Sequence, residues 1–428
     1  MNGKSRNGYN RFFDDYAEKD ITNLVRATRN HPSIVMWSAG NEVPDQYGSE
    51  GVKRAKWLQD IFHREDPTRP VTVGMDQVKA TMESGFGAIL DIPGLNYRVH
   101  LYEEAYNKFP QGFILGSETA STVSSRGIYK FPVKKASMKE YPDLQSSSYD
   151  LEYCSWSNLP EDDFILQDDK PWVIGEFVWT GFDYLGEPTP YDTSWPARSS
   201  YFGMVDLAGI PKDRYYLYRS RWNTEKETLH ILPHWNWEGR EGEKTPVFVY
   251  TNYDRAELFV NGKSQGIQIK NDSTSQTRYR LMWNEVIYEP GTLKVIAYTQ
   301  DGSVAAEKTV ETAGKPYAIQ LEADRKTITA DGNDLSFVTV SVVDKEGNIC
   351  PTATNRLNFK VTGNGEFKAV ANGDPTSLEA FHKPTMKLFS GKLVVLVQSD
   401  STSGDIRLKV SGTSLKSAVL KLKSTPIN

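Results

Sequence analysis

The chain has 428 residues, enough for two or three domains with cores of their own. Its 38% hydrophobic, 25% charged and 12% aromatic content is that of an ordinary globular protein, and a formal net charge of −5 without a Lys/Arg stripe excludes an electrostatic footprint for nucleic acid. No apolar run reaches the length of a membrane span, and two cysteines, Cys154 and Cys350, in regions assigned to different domains exclude a disulfide framework.

The opening MNGKSRNGYNRFF lacks the apolar centre of a signal peptide, so the sequence leaves the compartment open. Phe13, Tyr16, Ala17, Ile21, Leu24 and Val25 recur at helical spacing and predict an amphipathic helix over 12–29, ended by His31-Pro32. The run Ile34-Val35-Met36-Trp37 is short and continuously apolar, as in a parallel strand buried on both faces. Ser49 is placed to cap a helix that presents Val52, Ala55, Leu58 and Ile61 on one face. Strands are expected at Val71–Gly74, Ile92–Asn96, Phe113–Glu118 and Trp172–Trp179, with a helix near Asp213–Trp222. Strand–helix alternation without a phosphate-type Gly-rich turn favours a (β/α) barrel over a doubly wound sheet.

From residue 229 the texture becomes that of antiparallel sandwiches: VFVYTNY, AELFVNG and LKVIAYT, separated by turns such as Asn261-Gly262. Gly314-Lys315-Pro316 reads as a linker before a second all-β unit. The expected domains are therefore 1–228, 229–313 and 314–428.

The densest chemistry lies in Arg29-Asn30-His31-Pro32-Ser33-Ile34-Val35-Met36-Trp37-Ser38-Ala39-Gly40-Asn41-Glu42. A strand ending in Asn-Glu puts an amide and a carboxylate at the C-terminal mouth of a barrel, where barrel enzymes work. On spacing alone, Glu42 serves equally well as a cap or an Arg partner. Ten Trp and 22 Tyr suit sugar-stacking platforms and ordinary cores alike. His230 and His234 are four apart, but Pro233 denies them a shared helical face, and they read as structural.

This segment resembles the acid/base signature of glycoside hydrolase family 2. The resemblance continues through Leu95-Asn96-Tyr97, Ile114-Leu115-Gly116-Ser117-Glu118-Thr119, Gly175-Glu176-Phe177-Val178-Trp179-Thr180-Gly181-Phe182-Asp183-Tyr184 and LHILPHWNWE at 229–238, covering essentially the whole chain. It implies strands 4–8 of a TIM barrel followed by two immunoglobulin-like β-sandwich domains, with two further β-domains and the first three barrel strands upstream.

It also implies a retaining exo-β-glycosidase, with Glu42 as acid/base and its pKa raised. The Glu176 strand is the last of the barrel, and the family carries its nucleophile one strand earlier, which assigns Glu118. Glu176 becomes a last-strand neighbour, a structural buttress first and a substrate contact second. Asn41 would meet the sugar 2-hydroxyl, Tyr97 would lie beside the nucleophile, and Trp179 would form a platform under the sugar. Each of these three has a plainer role, as a cap or a core aromatic.

The sugar is expected to be a β-galactoside, because LPHWNWE resembles the bacterial β-galactosidase architecture and no Asn-x-Lys pair follows the last strand to hold a glucuronate. β-Glucuronidase or another family 2 β-glycosidase activity is the alternative, and a catalytically incomplete fragment or a carbohydrate-binding remnant is the rival of another class. No cofactor is implied, a divalent metal is left open, and the partner is a carbohydrate, with an upstream half or a second copy as further partners. Relatives of this family are often exported to the periplasm or secreted. The 119–170 segment is long for a connection. Its Tyr129, Phe131, Tyr141, Tyr149, Tyr153 and Trp156 either wall the pocket or, for half of them, build a satellite core.

Overall fold

In the computed structural model, which describes Lys4 and Asn7–Ile427, five strands pair in parallel and in chain order. They are β1 (Trp37–Asn41), β2 (Val71–Met75), β3 (Ile92–Asn96), β4 (Ile114–Thr119) and β5 (Val173–Val178). Helix α1 (Phe13–Thr28) precedes β1, and α2 (Ser49–Glu65), α3 (Val78–Ser84), α4 (Tyr102–Lys108) and α5 (Pro160–Asp169) each lie between two successive strands. This is a partial (β/α) barrel. Val73, Met75, Phe86, Leu95, Tyr102, Phe109 and Ile114 form its core, each large apolar side chain worth roughly 1.5–3 kcal/mol.

The central strands β2 and β3 are buried at every position, as parallel strands covered on both faces should be. The edge strands differ. Val35, just ahead of β1, is 65% exposed, and on β5 Ile174 (47%) and Phe177 (54%) are exposed as well. The expected first strand at Ile34–Trp37 is corrected accordingly: the ladder begins at Trp37, opposite Val71, and runs on to Asn41. Its start is set by the partner strand, because the preceding carbonyl of Ile34 is taken by the Arg69 guanidinium at 2.7 Å. Trp37 anchors the start by stacking on Phe62 and donating its Nε1 to Asp66. Two smaller corrections concern helices. Ser49 opens α2 but does not cap it, Gly48 holding that position without a side-chain bond. In α1, Phe13, Ala17 and Val25 are buried, whereas Tyr16 and Leu24 on the same stripe face outward.

This first compact unit runs up to Thr122 and resumes over Tyr153–Trp179; the second takes Val123–Glu152 and everything from Thr180 on. In the second unit, α6 (Asp213–Trp222) precedes two β-sandwiches. The first pairs a four-stranded sheet with a three-stranded one around Trp235, Val249, Leu258 and Val295. Along Arg255–Val260 every second side chain is buried, and Asn261-Gly262 turns the chain with positive φ at both residues, the requirement of a two-residue hairpin loop. The second sandwich packs four strands against five around Val340, Val395 and Leu408. Of the long segment's aromatics, Tyr129, Phe131 and Tyr149 stack edge-on with one another and with Trp237, so these three form a satellite core. No helix among the described residues is long and apolar enough to cross a membrane.

Candidate active site

Three of the five parallel strands end the same way. The residue after β1 is Glu42 (φ 49°), after β3 Tyr97 (φ 56°), and one beyond Thr119 on β4 lies Ala120 (φ 48°). None is glycine, so each left-handed turn costs on the order of 1–3 kcal/mol and must be held by its surroundings. Backbone bonds do this: Glu42 N donates to Gly74 O (2.8 Å), and Tyr97 N donates to Glu118 O (2.7 Å). The kinks fall at the C-terminal ends of β1, β3 and β4.

Asn96 lies at the centre. Its Nδ2 is 2.8 Å from Asn41 Oδ1, 3.1 Å from Glu42 Oε1 and 3.2 Å from Glu118 Oε2. Two carboxylate oxygens on one nitrogen are no more than two hydrogen bonds apart, roughly 6 Å. Asn41 Nδ2 also reaches Glu118 Oε2, at 3.3 Å, and the Tyr97 hydroxyl donates to Glu118 Oε1 at 2.6 Å. Ser117 Oγ donates to Asn96 Oδ1 at 2.7 Å and fixes which way the amide faces. Lys4 forms an ion pair with Glu42 Oε2 at 2.8 Å.

Burial raises the Glu118 pKa, and the Glu42 charge adds to the rise, while the bonds from Tyr97 and Asn41 and the Lys4 charge oppose it. Burial, then the charge on Glu118, pushes the Tyr97 phenol far above its usual range.

Glu176 has contacts of its own. Its Oε2 accepts a 2.6 Å bond from Thr119 Oγ1, and its charge, after burial, helps hold the fully buried Asp163 carboxyl well above the usual carboxylate range. Asp163 is itself bonded by Asn158 Nδ2 at 2.7 Å. These contacts link Glu176 of β5 to β4 and α5. Trp179 is half-buried, its N–H on Thr119 O at 2.9 Å.

Of the sequence-derived residues, Asn41, Glu42, Tyr97 and Glu118 are brought into one network. Asn96, Ser117 and Gly74 were missed as participants. Gly74 has a spatial reason: a Cβ there would sit 2.3 Å from Asn41 Oδ1 and 2.7 Å from Asn96 Oδ1. The available signal was polar and glycine residues inside strands otherwise buried throughout. Among the described residues no group of three or more His, Cys, Asp or Glu is placed to hold a metal. His230 pairs with Asp213 at 2.6 Å and stacks on Tyr216, and His234, its pKa lowered to about 4 by burial, stacks on Trp237.

A parallel barrel sheet with a bridged carboxylate pair at its C-terminal end defines the class of the glycosidase barrels. Comparison with known proteins narrows the class. Residues 5–223 match the family model for the glycosyl hydrolases family 2 TIM barrel domain, and residues 319–421 match glycoside hydrolase family 2 C-terminal domain 5. Residues 242–306 match a domain of unknown function. A β-galactosidase of Bacteroides ovatus is 40% identical over 98% of this chain and 53% of its own length. A β-glucuronidase of Formosa agariphila is 26% identical over 97% of this chain and 40% of its own. A solved β-glycosidase from Bacteroides vulgatus superposes with a TM-score of 0.84 at 32% identity, covering 98% of this chain and 55% of that one. The chain belongs to glycoside hydrolase family 2. It spans about half the length of the relatives it matches first.

Proposed function

We propose that this chain carries the catalytic carboxylates of a retaining β-glycosidase, with Glu118 as nucleophile and Glu42 as acid/base. The observation that carries this is the single amide nitrogen of Asn96 within hydrogen-bond distance of both carboxylates. The shared nitrogen keeps one oxygen of each carboxylate within roughly 6 Å of the other, under the 6.5–9.5 Å between the carboxyl groups of inverting enzymes and compatible with the roughly 5–5.5 Å of retaining ones. In the first step Glu118 forms a bond to the anomeric carbon as the bond to the leaving oxygen breaks, and that oxygen takes the Glu42 proton. In the second, a water gives a proton to Glu42, its oxygen bonds to the anomeric carbon, and Glu118 leaves with configuration retained.

The sugar we propose is a β-galactoside. The 40% identity to a β-galactosidase supports it, against 26% to a β-glucuronidase, which keeps glucuronides as the second reading.

The test is incubation with 2,4-dinitrophenyl 2-deoxy-2-fluoro-β-galactoside, read by intact mass. The expected result is one glycosyl adduct on the wild-type chain and none on Glu118→Gln. An adduct that survives the substitution overturns the nucleophile. Preferential labelling by the corresponding glucuronide overturns the choice of sugar.

A further inference from the structure

Beyond the carboxylate pair, a second row of hydroxyls stands behind the nucleophile. Glu118 Oε1 accepts from Tyr97 OH at 2.6 Å, and Ser121 Oγ lies 2.6 Å from the same phenol oxygen. The directions follow from valence. An ionised carboxylate can only accept, so the one phenolic proton is committed to Glu118, and Ser121 must be the donor to Tyr97. Ser121 is fully buried and its backbone is fixed at both ends. Its N–H bonds to Ser157 Oγ (2.7 Å) and its carbonyl accepts from Cys154 N (3.0 Å). The left-handed turn at Ala120 returns the chain after β4 so that Ser121 comes to lie at Tyr97.

We infer that Ser121 is a positioning residue for the reaction proposed above, on which this inference rests: its hydroxyl sets the direction of the Tyr97 proton and, through it, the aim and charge of Glu118. Hydrogen bonds in such a chain polarise one another, so a phenol that accepts from Ser121 is a stronger donor to the carboxylate. The bond from Ser121 acts against the burial that raises the Tyr97 phenol, and the bond from Tyr97 acts against the burial that raises Glu118. A buried serine that merely satisfied its own hydroxyl would leave both the charge and the aim of Glu118 untouched.

The experiment combines two readouts on the full chain. The first is the rate of adduct formation with the fluoro-galactoside across pH. Ser121→Ala is expected to label about tenfold more slowly, with the acidic limb of the profile moved upward. Ser121→Cys, a weaker donor of similar size, is expected to fall between alanine and wild type. In a Tyr97→Phe background, Ser121→Ala is expected to add no further loss, because the relay is already cut.

The second readout is a carbon-13 NMR titration of the Glu118 carboxylate, assigned by its disappearance in Glu118→Gln. Ser121→Ala is expected to raise its midpoint by a few tenths of a unit, a measurement that needs no turnover. An unmoved midpoint with wild-type labelling, or an equal penalty in both Tyr97 backgrounds, overturns the relay. A moved midpoint on a wild-type chain that takes no label leaves the relay standing and removes the functional reading.

Discussion

Asn96 does at the scale of one residue what two or three residues do in looser sites. Its Nδ2 carries two protons and meets three acceptors, Asn41 Oδ1, Glu42 Oε1 and Glu118 Oε2, so at least one proton is shared. The arrangement bridges two carboxylates through a neutral amide, with the Lys4 ammonium on the Glu42 side. Removing the amide in Asn96→Ala leaves the pair unbridged, and the rate of adduct formation with the fluoro-galactoside is expected to fall on the order of 10²-fold, the cost of losing one preorganised donor. Asn96→Asp is expected to be worse. A third carboxylate among two raises their pKa values by like-charge repulsion, so the pH at which labelling fails on the acid side moves up. A variant that labels at the wild-type rate would show that Asn96 is a spectator.

Strand β2 contributes to the site through what it lacks. Gly74 is paired with Asn41 on one side and Gly94 on the other, in a strand buried at every position. The missing Cβ leaves the room that the Asn41 and Asn96 amides occupy. Its backbone is not left-handed, so Gly74→Ala strains no dihedral and instead pushes on two side-chain ends. The expected outcome is a labelling rate down by tenfold or more with a melting temperature lowered by only a few degrees; the reverse ranking would make Gly74 a folding residue alone.

The same element shows what sequence could and could not convey. Short apolar runs separated by helical periodicity marked all five strands, and the Asn41-Glu42 pair stood out because a polar doublet closed an apolar run. Asn96 and Tyr97 lay inside a recognised motif, yet the bridging role of Asn96 depends on register across three strands, which no linear spacing encodes. Left-handed φ at Glu42, Tyr97 and Ala120 had no signature either, since the usual marker of that region is glycine. The start of β1 was misplaced for a related reason. Val35 and Met36 are as apolar as any core pair, but pairing begins where the partner strand begins.

On the scale of the whole molecule, the second unit depends on buried charge that composition could not have located. Residues 123–152 supply much of it. Arg126 pairs with Asp206 at 2.5 Å and donates to the carbonyls of Asn372 and Phe389, tying this segment to the second sandwich. Asp150 accepts from Tyr250 OH at 2.9 Å in the first sandwich and faces Arg214 of α6 at 4.0 Å. Both partners of each ion pair are buried, so cutting one leaves an uncompensated charge.

Asp150 also makes the unit's stability depend on pH. Burial raises its carboxyl to about 7, the Arg214 and Arg280 charges and the Tyr250 bond only partly opposing and the Asp213 charge adding to the rise. In an unfolded chain the same group ionises near 3.9. Between those values the folded state binds the extra proton, so this group's contribution is fully present below about pH 4 and is lost as pH rises toward 7. Above 7 both states are ionised and the slope ends. His234 works in the opposite sense. Its folded pKa is lowered to about 4, so its contribution is present above the unfolded value near 6.5 and lost as pH falls toward 4. The two slopes oppose one another over their shared window, and Asp183, raised to about 6 by burial in the same unit, adds a slope of Asp150's sign. Asp150→Asn, which keeps an acceptor for Tyr250 and removes the titration, is expected to take away the larger of the slopes that oppose His234. The melting temperature of the second unit should then climb relative to the wild-type curve as pH goes from 4 to 6.5, the two curves separating by several degrees in a differential-scanning series. Parallel curves for the variant and the wild type would mean that Asp150 stays ionised in the folded state, with Arg214 and Arg280 outweighing its burial.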